Sequence, residues 1–201
     1  MNSVFEIILQ RLRKRILIYV AMNFVLVVLL ILFSEYWLTR GFDVSAVGAE
    51  YNNVRNPIAS MNYFSKIVAI FSNNYFIALL FIIPALSFLF LIGVMFNTSL
   101  FFAYFSVLAS SYYQISPYVA APILVMTPIL SPRELFFGFF EFLGYSLTFV
   151  QSIYIIVYLV KSLIEGRIKE LQYEAYYTVF VIAFSAFILF AAATIESAFV
   201  G

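Results

Sequence analysis

The chain has 201 residues, of which 65% are hydrophobic and 10% charged, with a mean hydropathy of +1.03 and a formal net charge of +1. A soluble domain is roughly 45–50% apolar and about 25% charged, so a water-soluble fold of this length could not hide its apolar surface. The near-neutral charge gives no electrostatic case for nucleic acid, and the lack of Cys and His removes disulfides, thiol chemistry, imidazole metal sites and the usual general base.

In chain order, residues 2–15 place Val4, Phe5, Ile8, Leu9 and Leu12 on one helical face, with Arg11, Arg13, Lys14 and Arg15 at the far end. This reads as an interfacial helix lying in the plane of an anionic leaflet, the alternative being a cytosolic tail. Ile16–Leu38 is long enough for a first span, and the basic cluster before it puts the N-terminus in the cytoplasm of a multi-pass cell-membrane protein. That apolar stretch is too long for a signal-peptide core, so the segment is expected to stay in the mature protein.

Residues 39–73 read as an extracytoplasmic loop. Gly, Asn and Pro mark its first half. Met61, Phe64, Ile67, Val68 and Phe71 form an amphipathic helix in its second. Asn74–Phe96 is the expected second span, kinked at Pro84. A short turn at Asn97 leads into a third span, Thr98–Tyr113. Asn97-Thr98-Ser99 matches a glycosylation sequon, on a turn too tight to serve as an acceptor.

Tyr118–Leu130 is apolar but short, and Pro117, Pro122, Pro128 and Pro132 punctuate it. It is either a re-entrant segment or a sixth crossing. Leu135–Val160 is a long span, 161–174 a charged loop, and Ala175–Phe199 the last span. With five full crossings the bases of 161–174 join those of the N-terminus on one side, which the positive-inside rule favours. The expected fold is therefore an all-α polytopic bundle forming one membrane domain over residues 1–201. It has five full spans, a short Pro-broken segment and an N-terminal interfacial helix.

Polar residues inside the spans carry the functional question. Stepping by four and three from Glu134 gives Gly138, Glu141, Tyr145, Thr148 and Ser152, a polar and small-residue seam on a helix otherwise rich in Phe. Such a seam belongs against protein or water. A carboxyl group at membrane depth is costly, which marks Glu141 either as a gate, ion site or partner contact, or as an interhelical hydrogen bond that fixes packing. Glu134 suits the positive end of its helix dipole, and Arg133 suits an interfacial anchor. No nucleophile–base set, metal-ligand cluster or phosphate-binding glycine loop is present, and Asp43 is the only Asp. Neither an enzyme nor a cofactor is expected.

Two stretches, "FSNNYFIALLFIIPALSFLFLIGVMFNTSLFFAYF" (71–105) and "FGFFEFLGY" (137–145), resemble the stage II sporulation protein M family of integral membrane proteins. The resemblance rests on Asn73 and Asn74, on Asn97, and on Gly138 and Glu141 within a His-Gly-x-x-Glu pattern. Phe137 stands where that pattern has His, and Thr98 where a Gly often follows the Asn. It covers about a third of the chain. It implies a non-enzymatic membrane scaffold or assembly subunit. The expected partners are the bilayer, other membrane or envelope proteins, and a second copy of the chain. The alternative is a transporter or channel-like permease subunit with Glu141 lining the path.

Overall fold

The computed structural model describes residues 4–130 and 135–199. These residues form seven α-helices: α1 (Val4–Arg40), α2 (Val44–Ala59), α3 (Tyr63–Phe81), α4 (Ser87–Tyr113), α5 (Pro117–Leu130), α6 (Leu135–Glu165) and α7 (Ile168–Glu196). Five of them, α1, α3, α4, α6 and α7, are long and apolar enough to cross a membrane. The protein is thus a helical bundle of multi-pass membrane type.

Paired contacts fix the helix directions. Along α7, Glu174 meets Arg15 and Tyr177 meets Tyr19, so α1 and α7 run the same way. Gln151 meets Glu174 while Gly144 packs on Leu189, so α6 runs against α7. Tyr63 meets Thr194 and Phe71 meets Phe190, so α3 also runs against α7. In consequence the N-terminal basic cluster and the α6–α7 connection share one end of the bundle. Exposed apolar side chains such as Leu17, Leu89 and Phe187 cover the outside, as a lipid-facing surface requires.

Four expectations are corrected. Residues 4–15 are not a separate in-plane helix; they are the first turns of the continuous α1. No Gly or Pro interrupts the segment, and Arg15 is held inside the bundle, so the chain has no reason to change direction. The first half of 39–73 is not an open loop. Asp43 caps α2 by accepting from the Ser45 and Ala46 amides at 2.9 and 3.1 Å. Those bonds, and above all the Ser45 hydroxyl, hold the Asp43 carboxyl below its ordinary range. Gly48 lets α2 settle against α4, where a Cβ would come within 2.9 Å of the Tyr104 hydroxyl. Of the amphipathic stretch expected to lie at the interface and run into the second span, Tyr63–Phe71 opens the crossing helix α3, and Met61 precedes its cap Asn62.

The third correction concerns the second and third spans. The chain turns at residues 82–86, around Pro84 and the left-handed Ala85 (φ 66°), and not at Asn97. Pro84 lacks an N–H and its ring opposes the carbonyl four residues back, so the helix stops there instead of bending. Asn97 falls inside α4. The number of crossings is unchanged, because α3 gains residues before Asn74 and α4 gains those from Ser87. Fourth, 161–174 is not a loop. Helix α6 runs to Glu165 and α7 starts at Ile168, with Gly166 (φ 68°) making the reversal.

Helix α5 has 14 residues, about 21 Å of rise against a hydrocarbon core of about 30 Å. It continues through Pro122 and packs on α1, α4 and α6, with Ala120, Ala121 and Val125 buried. Helix α6 is the centre of the bundle. It touches α1, α3, α4, α5 and α7, and its residues 144–152 are all buried.

At Gly144 an added Cβ would lie 2.8 Å from Leu189 Cγ, whereas at Gly93 nothing lies within 4 Å. Gly144→Ala is therefore expected to lower thermal stability in detergent by about 1–3 kcal/mol, and Gly93→Ala to leave it unchanged or slightly raised. Melting curves of the two variants check this; equal shifts would contradict the close α6–α7 contact.

Candidate functional site: a membrane-embedded carboxyl cavity and a buried ion-pair lock

Two polar centres lie along α6, at Gln151 and at Glu141, nearly three turns apart. The first is built on Arg15. Its guanidinium donates Nη1 to Glu174 Oε1 at 2.6 Å and Nη2 to Glu174 Oε2 at 2.9 Å, a two-pronged pairing of the fork with the carboxylate. Nη1 also reaches Gln151 Oε1 at 3.0 Å. Gln151 donates Nε2 to Glu174 at 2.6 Å and to Thr178 Oγ1 at 2.8 Å. The hydroxyls of Tyr19 and Tyr177 meet at 3.2 Å, and the Arg15 guanidinium lies over the Tyr154 ring at 3.6 Å. Arg11 adds a second cation against Glu174. Arg15, Gln151 and Glu174 are 3, 0 and 1% exposed. A charged pair this deep persists only where its remaining donors and acceptors are met, and here they are.

The second centre is built on Glu141, which is half-buried on α6. Asn74 of α3 donates Nδ2 to Glu141 Oε1. Tyr145 donates its hydroxyl to Asn74 Oδ1 at 3.0 Å, and Asn73 donates Nδ2 to the same oxygen at 3.3 Å. From α7, the Glu196 carboxyl lies beside that of Glu141. Beside these groups is a cavity of about 200 Å3. Its polar wall is Asn73, Asn74, Thr98, Glu141 and Tyr145. Its apolar wall includes Met95, Phe102 and Val125 from α4 and α5. No Lys or Arg lines it.

The seam residues divide between these surroundings. Gly138, Glu141 and Tyr145 border the cavity. Thr148 turns its hydroxyl back to its own helix at Tyr145 O (3.1 Å). Ser152 donates to Ser87 Oγ at 2.8 Å, tying α6 to the start of α4. Glu134 and Arg133 lie outside the described residues. Of the Asn residues that carry the family resemblance, Asn73 and Asn74 reach the cavity, whereas Asn97 is exposed on α4 away from it.

Sequence reasoning missed Arg15, Gln151 and Glu174 as one unit, and missed Glu196 as the partner of Glu141. A signal existed for the second pair. Counting outward from the turn at Gly166 in an antiparallel hairpin brings Glu141 to within about one helical turn of Glu196. For the first, a Gln inside an otherwise apolar run was the available mark. Among the described residues no group of three or more acidic, His or Cys side chains could hold a metal ion.

No family model, no curated protein and no solved structure matches the chain. Fold and site together define a multi-pass helical membrane protein with a polar cavity set against its central helix.

Removing the acid from the lock leaves Arg15 buried without a counter-charge. Glu174→Ala is expected to destabilise the bundle by about 3–5 kcal/mol, and the double variant Arg15→Met/Glu174→Leu by less than Glu174→Ala alone. Detergent-resistance half-lives of the single and double variants test the coupling. Additive losses would show that the two side chains do not act as a pair.

Proposed function

We propose that the protein is a non-enzymatic membrane scaffold or assembly subunit, similar to the stage II sporulation protein M family, with its N-terminus in the cytoplasm. The observation that carries this reading is that the Glu141 cavity stops at Tyr145. Beyond it, residues 144–152 of α6 are buried on every side, down to the ion pair of Arg15 and Glu174. A path for a solute needs water access from both ends. A polar cavity closed at depth suits recognition instead, of a neighbouring helix or of a group that a partner inserts. The convergence of Asn74 with Gly138 and Glu141 on one cavity adds weight to the resemblance, since its two motifs, on α3 and α6, meet in space although they are far apart in sequence. The orientation rests on charge. Arg11, Arg13, Lys14, Arg15, Lys161, Arg167 and Lys169 stand at one end, against Arg40, Arg55 and Lys66 toward the other.

A permease subunit is the second reading. It is favoured by the same cavity, whose wall includes the short Pro-containing helix α5.

Glu141→Gln separates the two readings. Gln keeps an oxygen for the Asn74 amide and turns an amide donor toward the neighbouring Glu196 carboxyl, so the Asn74 bond survives while the ionisable group at 141 is lost. The scaffold reading expects Glu141→Gln to melt like the natural chain and to bring down the same partners. The assay is crosslinking in the membrane, purification in mild detergent and mass spectrometry, with a crosslinked homodimer counted as a partner. Purification of the chain alone from crosslinked membranes, together with liposome flux that Glu141→Gln abolishes, would replace the scaffold by the permease.

A further inference from the structure

A second cavity, of about 410 Å3, opens at the N-terminal end of the bundle, between the first turns of α1 and the far end of α6. Arg11, Lys14 and Arg15 face Tyr154 and Tyr158 across it. Its charges do not balance. Glu174 is taken by Arg15 and Arg11 together. Glu170, the acid on the cavity wall, is paired with Arg167. Lys14 on the wall has no carboxylate partner among the described residues, and Lys161, stacked on the Tyr158 ring at 5.6 Å, has none either. Arg11 and Arg15 also lie against that ring, at 4.8 and 5.7 Å. Three cations gathered around one tyrosine, beside an open polar cavity, leave a surplus of positive charge that no carboxylate among the described residues meets.

We propose that this cavity binds a phosphate group, carried by the headgroup of an anionic phospholipid. The donors suit that chemistry. The Lys14 ammonium gives a point charge, and Arg11 a planar fork. The Tyr154 and Tyr158 hydroxyls and the Gln10 amide complete a set that can surround phosphate oxygens. Depth selects the lipid over a soluble ion. The apolar run of α1 begins at Ile16, directly after Arg15, and Lys161 ends the apolar run of α6, so the cavity lies where the hydrocarbon gives way to headgroups. Leu17, 78% exposed just inside that boundary on α1, offers surface for an acyl chain.

The test is native mass spectrometry of the full chain in detergent, offered phosphatidylglycerol or phosphatidylcholine. The substitutions are Lys14→Ala with Lys161→Ala, since neither side chain belongs to the buried network. Lys169→Ala, exposed at the same end but off the cavity wall, is the control. Phosphatidylglycerol should be retained in preference to phosphatidylcholine. The preference should fall by roughly fivefold for each lysine removed and stay constant in Lys169→Ala. Melting curves establish that the double variant is folded. If inorganic phosphate binds with the same lysine dependence and lipid shows no preference, the phosphate chemistry stands and its source is soluble. Equal retention of both lipids with no phosphate binding, or a preference unchanged in the folded double variant, overturns the site.

Discussion

The ion pair between Arg15 and Glu174 is the constraint around which the rest of the bundle is arranged. Two opposite charges are taken out of water near the start of the first span. Their desolvation is offset by the two-pronged pairing of the guanidinium with the carboxylate and by Gln151, which bonds both. That requirement brings three helices together at one depth. Helix α1 has to continue straight through its basic cluster to deliver Arg15. Helix α7 has to begin early enough to deliver Glu174 inside the bundle. Helix α6 supplies Gln151 from between them. The tight reversal at Gly166 follows, because a longer connection would let Glu174 slip away from the level of Gln151.

The two polar centres on α6 differ in kind. Around Arg15 the guanidinium fork and the Gln151 amide both bond the Glu174 carboxylate, and aromatic faces cover the cation, so the arrangement has one geometry. Around Glu141 a second acid and an Asn gather, and a cavity stands beside them. Low dielectric makes the first centre rigid and leaves the second as the place where another group can enter. Between the two, the small residues Gly144, Ser146 and Ser152 let neighbouring helices approach closely, and Ser185 bonds the Gly144 carbonyl at 3.1 Å.

Much of the class was readable from the sequence, because the apolar runs of α1, α6 and α7 are long and uninterrupted. What was harder to read has a physical pattern. Charge was taken as a sign of water, which turned residues 161–174 into a loop and 4–15 into a surface helix. In the fold, Arg15 and Glu174 cancel each other inside, and the remaining charges sit on helical turns at the ends. Proline was given too small an effect at Pro84, where it ends a helix. In a run as uniformly apolar as 74–96, periodicity offers nothing to correct that choice. Asn97 looked like a turn because Asn commonly caps helices, yet here it lies within α4, whose neighbouring Phe96 and Ser99 carbonyls accept from Trp37 and Ser34 of α1.

This division of labour places any rearrangement of the bundle on one side. Helices α1, α6 and α7 form a frame, joined by the buried ion pair and by the close contact at Gly144. Helices α3, α4 and α5 carry the cavity wall opposite Glu141 and attach to α6 through few polar contacts, chiefly Asn74 with Glu141 and Ser87 with Ser152. The break at Pro84 separates α3 from α4, and α5 is too short to anchor itself across the bilayer. A group entering the cavity would compete with Asn74 for Glu141 and so act on α3, while the frame holds its geometry. Glu141 therefore bonds a helix outside the frame, whereas Arg15 and Glu174 bond within it, where removing one charge would leave the other buried alone.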